Sequence, residues 1–268
     1  MQEKQFWSRE GYELEWSDEF EGDSLNRHDW NVELHEPGWV NEELQEYIDS
    51  EENIQVRDGK LIISPVKKAD DLGNVKYYSG RVNTQNKHDF KYGLFEAKMR
   101  VPRGKGFLPA FWMMPTDEYL YGQWPRCGEI DIMEVMGQNT QKAMGTIHYG
   151  NPHEQNQGEY EVSESDFCNQ WHTFSVEWEP GKIVWYIDET KYHEVREWYS
   201  ASEKGKISYP APFDQKFYII FNLAIGGSWV GYPDETTTYE DQSLMVDYVR
   251  VYRKSQEYYD MAEQNLRK

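Results

Sequence analysis

Hydrophobic and polar residues alternate along much of the chain, in short runs that turn residues separate. The run at 93–101 gives one apolar and one mostly polar face, whereas the run at 217–225 is almost wholly apolar. A period of two is typical of a half-buried strand, and a short apolar run between turn residues is typical of a central strand. We therefore predict a chain built mainly from strands, with little helix.

Turn residues set the limits of the individual strands. Asp58-Gly59 between two apolar runs is the strongest hairpin signal, and Pro180-Gly181 separates a second pair. Three intervals lack a strand pattern: we expect a polar connection at 67–76, a polar loop at 150–169 and a partly helical segment at 190–206. The predicted strands are 12–20, 30–34, 53–57, 61–66, 78–84, 93–101, 108–114, 128–135, 143–149, 171–179, 182–188, 217–225 and 244–252.

This spacing predicts an all-β fold, a sandwich of antiparallel sheets. The chain shows no internal repeat and no linker that would divide it. We expect one domain at 12–254. A polar tail at 1–11, poorly ordered, would precede it, and a tail at 255–268 would form a short, peripheral polar helix.

Composition narrows the classes of partner. The 268 residues carry a formal net charge of −20, so we expect no nucleic-acid partner and no polyanionic substrate. Eleven Trp and twenty Tyr supply apolar rings for a core and for stacking on sugars. No apolar run is long enough for a transmembrane helix, and no apolar signal region opens the sequence. Two cysteines, Cys127 and Cys168, are too few for a disulfide framework, and one bridge between them stays open.

Three carboxylates lie within six residues of the predicted strand 128–135. Plain alternation places Glu129 and Asp131 on one face and Glu134 on the other. One extra residue, a β-bulge between Asp131 and Glu134, would bring all three to the same face. The ordinary interpretation is a half-buried strand with an acidic solvent face. The alternative is a catalytic carboxyl pair, because a retaining glycosidase uses two carboxyls about 5–5.5 Å apart.

The sequence Glu-Ile-Asp-Ile-Met-Glu at 129–134 resembles the bulged active-site motif of glycoside hydrolase family 16, Glu-x-Asp-x-x-Glu. The surroundings are similar to those of the laminarinase-like members, with Leu108 and Arg126 standing where that pattern has Trp and Ala. Further matching blocks lie at 79–84, 92–97, 108–115, 124–128, 222–227 and 247–252. The resemblance runs from about Trp16 to Tyr252.

The resemblance implies a concanavalin A-like β-jelly roll with a concave cleft. It implies a retaining endo-β-glucanase that cleaves β-1,3-glucan, mixed-linkage β-1,3/1,4-glucan or both by double displacement, without a cofactor for catalysis. Glu129 would be the nucleophile, Glu134 the acid/base, and Asp131 would tune one of them. We expect an exported monomer whose partner is a glucan.

Seven further residues are candidates for substrate binding, each against the alternative of core packing or a purely structural role. They combine rings that stack on sugars with polar groups that bind hydroxyls. They are Asn41, Arg81, Trp112, Trp124, His148, Asn222 and Trp229. In the block that resembles the family's Asn-Asn-Glu-Leu-Gln, Glu42 replaces the second Asn.

A structural calcium ion is a further implication of the resemblance, through Glu19, Gly59 and Asp247. A solvated Asp247 is the alternative. Two other functions stay open. One is a non-catalytic glucan-binding protein on the same fold, and the other is hydrolysis of a galactan such as agarose, porphyran or carrageenan.

Overall fold

The computed structural model describes residues 10–202 and 205–266. Residues 1–9 of the predicted N-terminal tail lie outside the described residues. Strands make up nearly all of the regular structure. They are β1 (Glu13–Asp18), β2 (Asn31–Val32), β3 (Gln45–Tyr47), β4 (Ile54–Val56), β5 (Leu61–Ile63), β6 (Val66–Ala69), β7 (Val75–Ser79), β8 (Arg81–Asn83), β9 (Asp89–Phe90), β10 (Gly93–Arg100), β11 (Phe107–Pro115), β12 (Glu129–Glu134), β13 (Lys142–Tyr149), β14 (Glu154–Glu161), β15 (His172–Glu179), β16 (Lys182–Ile187), β17 (Thr190–Val195), β18 (Ser200–Ser202), β19 (Gly205–Ile207), β20 (Phe217–Ile225) and β21 (Leu244–Arg253), with one helix, α1 (Gln256–Leu266), in the part of the chain described.

Two eight-stranded antiparallel sheets form the body of the protein. Sheet A has the order β17-β16-β15-β10-β21-β5-β4, with β1 also paired to β21. Sheet B has the order β14-β13-β12-β11-β20-β8-β2, with β9 also paired to β20. The predicted sandwich of antiparallel sheets is confirmed.

The core lies between the inner faces of the two sheets. Phe95 and Val249 of sheet A belong to the same buried cluster as Phe111 and Phe221 of sheet B. Phe111 and Phe221 stack with ring centroids 4.8 Å apart. Each such side chain contributes about 1.5–3 kcal/mol through burial. The outer face of sheet B is left for polar and aromatic side chains.

The predicted hairpin at Asp58-Gly59 is confirmed between β4 and β5. Both turn residues have positive φ, 53° for Asp58 and 68° for Gly59. Two successive positive φ angles are the geometry of a type I′ turn, whose twist matches that of the flanking strands.

Three predictions of non-strand structure are wrong. The interval 67–76 overlaps both strands of the β6–β7 hairpin, and 150–169 contains β14. The interval 190–206 overlaps β17 to β19 and holds no helix in its described residues, which exclude 203–204. β14 and β17 are the outer strands of sheets B and A. Most side chains of β14 are exposed or half-buried, so this strand has no apolar face to give a period of two.

The predicted C-terminal helix is confirmed, and one buried residue attaches it to the body of the protein. Tyr259 is only 1% exposed and packs against Tyr92, with ring centroids 5.4 Å apart. Tyr92 Oη also donates to Glu263 Oε1 at 2.9 Å. Among the residues described, no helix combines the length and the apolar character that a membrane span requires. Cys127 and Cys168 are both free thiols.

Candidate active site

The Glu-x-Asp-x-x-Glu motif at 129–134 lies on β12, an inner strand of sheet B. The strand is bulged as predicted. Asp131 pairs with Thr146 of β13, and Glu134 pairs with Met144, so three steps along β12 match two along β13. The pairing with β11 shows the same extra residue. Ile132 and Met133 are both buried in the core, while Glu129 and Glu134 both line one cleft.

A group from the opposite sheet holds the bulge. The indole Nε1–H of Trp185, on β16, donates to the main-chain oxygen of Asp131 at 2.8 Å. This bond gives a hydrogen-bond partner to a buried carbonyl oxygen, which the irregular pairing at the bulge would otherwise leave without one. Gly145 of β13 makes the approach possible, because a Cβ there would lie 2.4 Å from Trp185 Cδ1.

The cleft crosses the outer face of sheet B and has a volume of about 940 Å³. The strand order places the carboxyls of β12 near its middle. On one side lie residues of β13, β14 and their connection, and on the other lie residues of β11, β20, β8 and the segment after β2. A chain of several sugars can therefore extend on both sides of the carboxyls.

The carboxyls differ in their partners. Trp124 Nε1–H donates to Glu129 Oε2 at 2.7 Å. Asp131 is buried, with Oδ2 3.2 Å from His148 Nε2, an ion-pair contact without good hydrogen-bond alignment. Since an indole nitrogen can only donate, Glu129 is held as an acceptor, which favours its ionised form.

Burial and mutual repulsion raise the pKa of both cleft carboxyls. Burial first, and then the charge of Asp131, raise the pKa of Glu129 to about 8. The same causes, with the charge of Glu129, raise the pKa of Glu134 well above its usual value. Burial acts to lower the pKa of His148, but its interaction with Asp131 and the charges of the two glutamates raise this pKa to about 9.

These shifts describe a cluster that shares protons. His148 carries a positive charge at neutral pH, and this charge lowers the pKa of both glutamates against the effect of burial. Of the two glutamates, Glu134 retains its proton more readily, because Glu129 accepts a hydrogen bond from Trp124 that favours its ionised form. Ionisation of Glu129 alone, which the Trp124 donor and the charge of His148 favour, would leave one carboxylic acid beside one carboxylate, as general acid catalysis beside a nucleophile requires.

A buried cation lies farther along the cleft. Arg81 is 7% exposed, and its Nε lies 2.8 Å from Glu33 Oε2. Its guanidinium also lies over the rings of Trp112, at 4.7 Å, and Trp39, at 5.2 Å. Its charge is thus neutralised within the protein, and the flat groups around it offer stacking surfaces.

Six of the seven predicted substrate-binding residues line the cleft. These are Asn41, Arg81, Trp112, Trp124, His148 and Trp229. Asn222 lies beneath it: Trp112 Nε1–H donates to its Oδ1 at 2.7 Å, and its Nδ2 donates to Tyr47 Oη at 3.0 Å. Asn222 therefore orients the Trp112 ring instead of facing the cleft.

Several lining residues were not predicted. Among them are Glu33, His35, Trp39, Glu118, His153 and Gln155. A period of two links Glu33 and His35 with Asn31 in the sequence and could have placed both on one face. His153 and Gln155 fall in the interval interpreted as loop, so no face could be assigned to them.

Of the residues named for calcium, Glu19 follows β1, Gly59 lies in the β4–β5 turn and Asp247 lies on β21, all in or beside sheet A and none among the cleft residues. Among the described residues, the cluster of three potential metal ligands is Glu129, Asp131 and His148, whose donor atoms lie within 4.8 Å of one another. These are the same groups that form the proton-sharing cluster described above.

Comparison with known proteins decides the family. The model of Glycosyl hydrolases family 16 matches residues 41–249, most of the chain. The chain belongs to this family. The predicted resemblance is confirmed, and so is the jelly-roll fold, because the laminarinase from Rhodothermus marinus has a similar structure. The two structures have a TM-score of 0.79 and 35% sequence identity, over 91% of this chain and 98% of the laminarinase.

Curated relatives in the family are similar over most of this chain. A glucan endo-1,3-beta-glucosidase from Cryptopygus antarcticus is 39% identical over 249 residues, which are 88% of this chain and 90% of the relative. Glucan endo-1,3-beta-glucosidase A1 from Niallia circulans is 38% identical over 263 residues. That alignment covers 91% of this chain, which spans only 38% of the Niallia protein.

Proposed function

We propose that the chain is a retaining endo-β-glucanase that hydrolyses β-1,3-glucan of the laminarin type, mixed-linkage β-1,3/1,4-glucan or both. One observation carries the proposal. The bulge in β12 turns Glu134 to the cleft wall that already holds Glu129, where His148 also lines the cleft and the buried Asp131 lies against it. The relatives named as glucan endo-1,3-beta-glucosidases support the choice of glucan.

In the first step, Glu134 gives its proton to the glycosidic oxygen while the carboxylate of Glu129 attacks the anomeric carbon. The bond from this carbon to the leaving sugar breaks, and a glycosyl ester forms on Glu129. In the second step, Glu134, now ionised, takes a proton from water. The water oxygen displaces Glu129, and the product keeps the configuration of the substrate.

Asp131 and His148 regulate where the shared protons reside. The negative charge of Asp131 raises the pKa of Glu134 and so keeps the acid protonated. When Glu134 has given up its proton, the cation on His148 stabilises the extra negative charge. No cofactor takes part in either step.

The cleft suits a neutral glucan. Its rings, Trp112, Trp124 and Trp229, can stack on the apolar faces of glucose units, and Asn41 can bind hydroxyls. The guanidinium of Arg81 is paired with Glu33 and is therefore available for hydroxyls more than for an anionic group.

The test measures reducing sugar released from laminarin, barley β-glucan and lichenan by the wild type and by Glu129→Ser. We expect release by the wild type, a loss of at least about 10³-fold in the variant, and retained anomeric configuration in the first product seen by ¹H NMR. Equal glucan binding by both proteins with no release from either would instead support the glucan-binding alternative. An inverted product would contradict the assignment of Glu129 as nucleophile.

We also propose one structural calcium ion, with a restricted set of donors. The Glu19 carboxylate receives Arg250 Nε at 2.8 Å and Arg250 Nη2 at 3.0 Å, so Glu19 would contribute its main-chain oxygen. Gly59 would also contribute its main-chain oxygen, and Asp247, whose Oδ2 lies 3.2 Å from Lys98 Nζ, would contribute its carboxylate. Calcium should then raise the melting temperature of the wild type and not that of Asp247→Asn. An unchanged melting temperature with calcium or with a chelator would exclude the ion.

Export from the cell and a monomeric state remain part of the proposal. A polymeric glucan is most accessible outside the cell, and a chain with a charge of −20 resists self-association. Fractionation of the source cells and sedimentation equilibrium test these two points.

A further inference from the structure

A second imidazole stacks against that of His148. His153, in the turn between β13 and β14, has its Nε2 2.9 Å from His148 Nδ1. The two rings are stacked, with centroids 5.2 Å apart and an angle of 19° between planes. His153 is itself exposed and lines the cleft.

The charged form of His148 fits these contacts with His148 as the donor of the pair. His148 Nε2 faces the Asp131 carboxylate and must carry a proton there. A charged His148 also has a proton on Nδ1, which needs an acceptor. His153 is that acceptor, because burial and the charge of His148 lower its own pKa and keep it neutral.

His153 also contacts the support of the other carboxyl. Its ring lies 4.9 Å from that of Trp124, the residue whose indole donates to Glu129. The His153 side chain therefore contacts both His148, which lies against Asp131, and Trp124, which donates to Glu129.

We propose that His153 is a positioning residue for the proposed hydrolysis, which stabilises the charged form of His148 and fixes the Trp124 ring. This role rests on the proposed function, since it acts through residues assigned to that reaction. His153 forms no bond to the reacting atoms.

The charged groups around His153 come from several segments. His148 faces it from β13, and Glu129, Asp131 and Glu134 lie beyond His148 and Trp124 on β12. On the other side, Tyr199 Oη donates to the oxygen of Pro152 at 2.9 Å and lies 3.4 Å from Glu154 Oε1. Arg126 Nη2 lies 2.7 Å from the side-chain oxygen of Asn151 once that amide is oriented to accept. Of these groups, only His148 makes a hydrogen bond to His153 in the part of the chain described.

The expected consequence has a definite sign. Without an acceptor at 153, the charged form of His148 loses a hydrogen bond, so the pKa of His148 falls. The positive charge on His148 favours the ionised form of Glu129. When His148 is less fully charged in the pH range where Glu129 ionises, the pKa of Glu129 rises, and the acid limb of the pH–rate profile moves to higher pH.

The test compares His153→Leu, which cannot accept a hydrogen bond, with His153→Gln, whose amide oxygen can. His28→Gln, an exposed site away from the cleft, is the control. We expect Leu to lower the His148 pKa, measured by ¹⁵N NMR of the imidazole, by about one unit, the equivalent of one hydrogen bond. In His153→Leu, kcat on laminarin should fall roughly fivefold to tenfold, and the acid limb of the pH–rate profile should shift to higher pH. In His153→Gln, most of the wild-type kcat and pH–rate profile should be retained.

The NMR titration does not depend on glucanase activity, so it separates this inference from the proposed function. A His148 pKa that is unchanged in folded His153→Leu would overturn the positioning role even if laminarin is hydrolysed. An equal loss of kcat in the Leu and Gln variants, with an unshifted pH–rate profile, would also overturn it. A purely steric role would not depend on whether the side chain at 153 can accept a hydrogen bond.

Discussion

At the scale of single residues, two glutamates with the same side chain lie in different environments, which fit the different roles proposed for them. Glu129 accepts a hydrogen bond from Trp124, which stabilises its charge. Glu134 lies where burial and the charges of Asp131 and Glu129 all disfavour ionisation. The environment thus separates the two pKa values, which is the usual origin of an acid beside a nucleophile.

This difference predicts how Glu134→Ala behaves. Hydrolysis of laminarin should fall by about 10²–10⁴-fold, because the leaving sugar needs a proton. An aryl β-glucoside oligomer with an acidic phenol as leaving group should react at nearly the wild-type rate in the first step, measured as the burst of phenol. Glu134→Gln, which keeps the size of the side chain, is the matched control and should behave like Ala.

A similar loss on both substrates would show that Glu134 is not the general acid. A loss on both from Glu129→Ser is expected in any case, since the nucleophile serves every leaving group.

The sequence indicated the acids and His148 because their residue types and spacing carry chemistry by themselves. It could not place Asn222, whose amide is as suitable for a sugar hydroxyl as for the indole of Trp112. It also missed His153, because the partner of a histidine is decided by which turn folds behind it. The positions of Asn222 and His153 both depend on contacts that sequence patterns do not show, either between distant segments or within irregular structure.

At the scale of elements, the bulge in β12 depends on a residue of the opposite sheet. The bulge was predictable from the parity of Glu129, Asp131 and Glu134. The hydrogen bond from Trp185 to the Asp131 carbonyl was not, since it crosses the sandwich. Strands with an apolar face were predicted well, whereas polar outer strands such as β14 were not, because burial is what produces the pattern.

We predict that Trp185→Phe impairs catalysis beyond its cost in stability. The variant keeps a ring but leaves a buried carbonyl without its donor, which costs about 1–3 kcal/mol of unfolding free energy. The bulge should relax, and kcat on laminarin should fall more than KM changes.

Trp178→Phe provides the matched control. Trp178 is also fully buried on sheet A, and its Nε1–H donates to the Phe213 oxygen at 3.1 Å, away from the bulge. Urea unfolding should give similar losses for the two variants. A kcat that falls equally in both would show that the Trp185 bond has no special connection with catalysis.

At the scale of the whole molecule, the net charge of −20 and the carboxyls of the cleft both disfavour the binding of an anionic polymer. Glu33, Glu118, Glu129 and Glu134 all line the cleft, and the guanidinium of Arg81 is already paired with Glu33. A glucan approaching along sheet B therefore meets a negative potential, because Arg81 and His148 of the described lining residues both lie against carboxylates. Such a field costs a neutral polymer little and repels an anionic one.

Selection against charge is the last prediction. Lightly sulfated laminarin should be hydrolysed with a lower kcat/KM than laminarin, and acetylated laminarin of equal substitution serves as the control for bulk. Raising the ionic strength from about 0.01 to 0.5 M should recover part of the loss for the sulfated polymer only, because added salt shortens the range of repulsion from about 30 Å to a few ångströms. If the sulfated and acetylated polymers react alike at low salt, the acidic surface has no part in selection, and the shape of the cleft alone would choose the substrate. If the sulfated polymer is preferred, the neutral-glucan proposal itself fails, and a sulfated galactan becomes the better candidate.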